Sequence, residues 1–149
     1  MCSPGRRTPP ALLHLENRTR FPDLQEAAGA FEAKRQYLGA VLARELGLGA
    51  FRSETHAIVG LWSSEVMHSV RLRSATFRAL CPDGADRVTA WLSGRPPAAV
   101  RSSSLVLLDP TARGGRHALI GLDRVLAGAR PRVRDYRDAA ERLRAGKQA

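Results

Sequence analysis

Cysteine is almost absent from the chain, Cys2 and Cys81 being the only two among 149 residues. That is too few for a disulfide framework and fits a reducing compartment, so a cytoplasmic protein is expected. No stretch approaches the roughly eighteen apolar residues that span a bilayer. The N-terminus lacks the continuous apolar run of a signal peptide, ALLHL after Pro10 being too short. A membrane partner is not expected. Lysine is scarce too, with Lys34 and Lys147 alone, and aromatic residues make up 5%. A stacking platform of several exposed rings is hard to build from so few, and Trp62, Trp91 and Phe77 are assigned to the core.

The motifs of common chemistry are missing as well. His14, His56, His68 and His117 never fall at ligand spacing, so no metal is expected. There is no GxSxG elbow, and Cys81 precedes Pro82 and Asp83 in what reads as a turn, where it serves as a small apolar residue closing a strand. Ser63, Ser64 and Ser102 to Ser104 have no neighbouring base in the sequence. Gly47 and Gly49 follow a helix instead of leading from a strand into one, and no GKS or GKT occurs, so they are cap residues and not a phosphate loop. No catalytic residue and no cofactor is expected.

What the chain does have is positive charge: 24 basic residues against 14 acidic ones give +10 and a pI near 11.2. Such a balance attracts polyanions, and guanidinium forks match phosphate and guanine edges better than ammonium does. The same arginine-, alanine- and glycine-rich composition is also what a GC-rich genome writes. With a hydrophobic fraction of 44%, the length allows one core without metal or disulfide.

The opening MCSPGRRTPP mixes Pro, Gly, Ser and Arg without period, and residues 1–20 read as a disordered basic arm, leaving 21–149 as a single α+β domain. Asp23 with Glu26 forms a capping box before Leu24, Ala28, Phe31, Leu38 and Leu42, a long amphipathic helix stapled by Phe21 and stopped at Gly47–Gly49. Its outer face carries Glu32, Lys34, Arg35, Arg44 and Glu45. Five β-rich stretches follow: Thr55–Trp62, Ser69–Leu80, Ala85–Leu92, Ser102–Asp109 and Arg116–Gly128. Turns at Pro82–Gly84, Gly94–Pro97 and Asp109–Gly115 separate the later ones, which predicts an antiparallel five-stranded meander or small β-barrel. Val133, Tyr136, Ala140 and Leu143 then mark a short C-terminal helix between Pro131 and Gly146, its charges interleaved as intrahelical pairs.

Within this pattern Arg113–Arg116 reads RGGR, two guanidinium groups around a backbone that can approach a phosphate closely, or else a plain hairpin turn. From Ala75 to Pro131 the order ATFRAL, PDG, ADRVTAWLSG, SSSLVLLDP and RHALIGLDRVLAG resembles the Sm-like, Hfq-type small β-barrel family of RNA-binding proteins. Arg116, His117 and Ala118 are similar to the start of that family's closing strand, although the family's Asn-Gly turn is missing here. The resemblance implies homo-oligomeric rings that bind RNA, with Arg116 and His117 near the bound strand.

The sequence therefore points to a non-enzymatic nucleic-acid-binding protein, for RNA or single strands first, with Arg71, Arg73, Arg78, Arg113 and Arg116 as phosphate contacts. The alternative is an interaction or adaptor protein that docks its amphipathic helices on a partner or on a second copy. An enzyme with a pocket assembled from dispersed residues is the third reading, with no motif behind it.

Overall fold

The computed structural model describes residues 9–112 and 118–147. Strand β1 (Ala11–Arg18) is followed by helix α1 (Leu24–Glu45) and strand β2 (Ser53–Leu61). Three helices come next, α2 (Ser64–Leu72), α3 (Ser74–Leu80) and α4 (Asp86–Leu92), then β3 (Arg101–Leu108). Strand β4 (Leu119–Gly121), α5 (Leu122–Leu126) and α6 (Tyr136–Lys147) complete the order. The sheet runs β1-β2-β3-β4, with the first three strands parallel and β4 antiparallel to β3.

The antiparallel five-stranded meander or barrel is thus corrected to a four-stranded, mostly parallel sheet with helices on both faces. Parallel strands covered on both sides need no alternation, and Ile58, Leu105, Val106 and Leu107 are all buried in β2 and β3. Ser69–Leu80 is helical. Ser63 caps α2 through Val66 N at 3.3 Å, and Val66, Val70, Phe77 and Leu80 form the buried stripe of α2 and α3. Leu72, which with Val70 suggested a strand face, is 68% exposed. Ala85–Leu92 is likewise mostly helix α4, with Val88 buried. Residues 11–18, counted with the N-terminal arm on composition, form the edge strand β1. The long first helix matches its expected start: Asp23 accepts from Glu26 N at 2.9 Å, and Gly47 takes the positive φ of +64° beyond its end.

Phe31 of α1 joins Ile58, Val66, Val70, Phe77, Leu105, Leu107 and Val125 in the main core, so α1, α2, α3 and α5 share one face of the sheet. On the other face Val88 packs on Ala57 and Val106. Trp62 and Phe77 are buried as expected, whereas Trp91 is half-buried. None of the described helices is long and apolar enough to cross a membrane.

Candidate functional site

The parallel register lines up His14, His56 and Ser103 across β1, β2 and β3. The Nδ1 atoms of the two imidazoles are 3.2 Å apart, and His56 Nε2 lies 3.3 Å from Glu54 Oε2. With the Nε2–H of neutral His56 donating to that carboxylate, His56 Nδ1 is left as the acceptor for His14 Nδ1–H. Phe31 stacks on His14 at 6.0 Å between ring centres and meets His56 edge-on. Burial lowers both imidazole pKa values below the ordinary 6.5; Glu16 pulls against it at His14, and Glu54 at His56. Burial pushes the neighbouring Glu16 carboxyl up, but hydrogen bonds from Lys34 and Arg18 outweigh it and hold that group below 4.5. Arg101 faces Glu54 at 3.5 Å.

This polar row closes on its own partners. Lys34 and Arg35, expected on a solvated helix face, reach Glu16 at 2.8 Å and Ser103 Oγ at 3.4 Å, Lys34 remaining exposed and Arg35 half-buried. Among the described residues no group of three or more His, Cys, Asp or Glu side chains could hold a metal ion. The serines of β3 are anchors: Ser103 Oγ donates to Leu80 O at 2.8 Å and Ser104 Oγ to Gly84 O at 2.9 Å. Burial pushes the Cys81 thiol up to about 12, which leaves no thiolate to attack.

An open site lies at the other end of the strands. Just past the carboxyl ends of β2 and β3, Trp62, Asp109, Thr111, Ala112, Ile120, Arg124, Ala129, Arg130 and Arg132 enclose a cavity of about 720 Å³. Open parallel sheets bind ligands at this end. Trp62 N donates to Leu108 O at 2.8 Å, tying the two strand exits together. Arg124 comes from α5, and Arg130 and Arg132 from the segment after it. That segment is pinned twice. Arg71 donates from Nε to Val125 O at 2.9 Å and from Nη2 to Ala129 O at 2.8 Å, and Ser64 N donates to Val133 O at 3.0 Å.

All 14 acidic side chains fall within the described residues. Among them no carboxylate lies within 4.0 Å of Arg124, Arg130 or Arg132. The cavity's own acid, Asp109, is 8% exposed. Its Oδ1 accepts from Thr111 N at 2.9 Å and Thr111 Oγ1 at 2.7 Å. Three arginines without a carboxylate partner therefore line one cavity.

The expected contacts divide. Arg71 donates through Nε and Nη2 to two backbone carbonyls and so braces the segment after α5. Arg73 and Arg78 are exposed on the α2–α3 corner and on α3, not on a strand. Arg78 lines a second cavity of about 570 Å³ with Pro82, Asp83, Leu122 and Leu126, on the other side of α5. Arg113, Arg116 and His117 lie outside the described residues. Arg124, Arg130, Arg132 and Asp109 were missed. The signal available for them was Arg130-Pro131-Arg132 after Gly128, where proline keeps the preceding arginine out of a helix, and Asp109-Pro110-Thr111, a turn-forming triplet. Comparison with protein-family models, with curated proteins and with solved structures finds no match.

Proposed function

We propose that the protein binds nucleic acid, RNA or single strands in preference to duplex, through phosphate contacts centred on Arg124, Arg130 and Arg132. The observation that carries this reading is that three arginines with no carboxylate within 4.0 Å line one cavity at the carboxyl end of the parallel sheet. Arg78, exposed on α3 beside Leu122 and Leu126, extends the basic surface around α5, and Arg73 is exposed at the α2–α3 corner. Scarce aromatics leave little for base stacking, so sequence preference is weak and salt dependence strong.

Fluorescence anisotropy of a single-stranded RNA oligomer against salt tests the reading. Affinity should fall with a log–log slope of about −2 if three phosphates are neutralised, each contributing about 0.7 on single strands. Absence of binding at low salt sinks it.

The interaction reading has one specific observation behind it. Tyr37 and Val41, one turn apart on α1, are both exposed, Tyr37 at 65%, so the helix keeps a small apolar stripe on its outer side. Light scattering distinguishes the two. A dimer that Tyr37→Ser and Val41→Ser dissolve would favour association through α1; a strict monomer would remove that reading.

A further inference from the structure

The cavity holds a second feature that phosphate binding alone does not use. Asp109 lies immediately after β3, is more than nine-tenths buried, and yet lines the open space between the three arginines. Thr111 occupies Oδ1 through both its amide and its hydroxyl. No described residue donates to Oδ2. A carboxylate at the wall of an arginine-lined cavity, with Oδ1 committed to Thr111, offers Oδ2 as an acceptor for a donor on the ligand.

We infer that Asp109 is the residue that reads sugar: Oδ2 accepts the 2′-hydroxyl of a ribonucleotide whose phosphate sits on Arg124, Arg130 and Arg132. This rests on the phosphate reading above and narrows it to RNA. A guanine edge would present two donors side by side and needs both oxygens of a carboxylate, which the Thr111 bonds preclude. Within a strand the 3′-oxygen is esterified, so the 2′-hydroxyl is the one sugar donor left, and it is the group by which a protein tells RNA from DNA. The negative charge of Asp109 has a cost: it weakens phosphate attraction for every strand alike. Retaining an acid there is sensible where a hydroxyl compensates.

The test uses the full chain and three single strands of one uridine-type sequence, about twelve nucleotides long: RNA, 2′-O-methyl RNA and DNA. The methyl ether keeps the ribose oxygen and the sugar pucker but has no proton to give. RNA should bind about tenfold tighter than either of the others, the usual worth of a hydrogen bond to a charged group. In Asp109→Asn the side-chain oxygen can keep the Thr111 bonds while the amide replaces the acceptor. The preference for RNA over 2′-O-methyl RNA should vanish, and all three strands should bind at least as tightly as DNA binds the wild type. Arg130→Ala, which keeps Asp109, should weaken all three strands together and preserve the preference. Equal affinity of the wild type for the three strands would overturn the role of Asp109 and leave phosphate binding standing. So would a preference that survives in Asp109→Asn. Failure of all three to bind at low salt would overturn both readings at once. The wild-type comparison needs no variant, so a folding defect in Asp109→Asn does not shield the proposal.

Discussion

His14 and His56 meet across β1 and β2, and burial is the largest influence on both imidazoles. Both imidazoles titrate below 6.5 in the folded chain because burial disfavours their charged forms. The unfolded chain therefore takes up more protons as the pH falls through 6.5, and stability must fall with it; above that value both states are neutral at these sites and the effect is absent. Glu16, held below 4.5 by Lys34 and Arg18, adds a second loss at lower pH, when its unfolded form is protonated first. Urea midpoints between about pH 5 and pH 7 should rise with pH. His14→Gln, which leaves one buried imidazole, should flatten the rise, and a profile that is already flat in the wild type would contradict the neutral pair. Arg71 makes a second prediction at this scale. Its replacement by alanine removes the donor to Ala129 O and leaves Val125 O with only its weaker backbone donors, Gly128 N lying at 3.4 Å. The change should cost about 1–3 kcal/mol of stability, more than a loose phosphate contact would.

At the scale of elements, the helical nature of Ser69–Leu80 has a simple signature. Val70 is fully buried and Leu72 is 68% exposed, although two residues apart they would share a face of any strand. Val70→Ala should lower stability by about 2 kcal/mol and Leu72→Ala by less than about 0.5 kcal/mol, measured by urea unfolding. Equal losses would restore the strand. The contrast shows how much of the fold was legible in the sequence. Local signals with a direct chemical cause could be read: the Asp23 cap, the Gly47 stop, the strand cores at Ala57–Val59 and Leu105–Leu107, and the C-terminal helix. What could not be read was pairing. Whether Ser102–Leu108 lies parallel or antiparallel to its neighbour depends on the chain between them, and there Val70, Leu72, Arg71 and Arg73 imitate alternation while packing with helical period. β1 escaped because a short apolar run with a histidine and a glutamate looks like a loop until α1 covers those two polar residues and supplies Lys34 to Glu16.

For the whole molecule the question is whether positive charge is merely distributed or is gathered into a site. The site was only half legible: composition pointed to phosphate, but the arginines singled out were those on supposed strands. Residues separated in sequence, Trp62, Asp109, Arg124, Arg130 and Arg132, meet only because the carboxyl ends of β2 and β3 open beside α5. Arg71 shows the converse, a cation that the same packing sets against the carbonyls of Val125 and Ala129. A charge of +10 would favour some attraction to any polyanion, so affinity alone does not establish the cavity.

The most direct test compares two double variants of equal charge. Arg130→Ala with Arg132→Ala empties the cavity wall, and Arg137→Ala with Arg144→Ala removes two exposed arginines from α6, neither of them within 4.0 Å of a carboxylate among the described residues. Each pair lowers the net charge by the same amount, so general electrostatic attraction treats them alike. Anisotropy titration of a single-stranded RNA oligomer should show the cavity pair losing at least about tenfold in affinity and about 1.4 in salt slope, with the α6 pair close to wild type. Equal losses from the two pairs would contradict the cavity as the binding site and leave only diffuse charge.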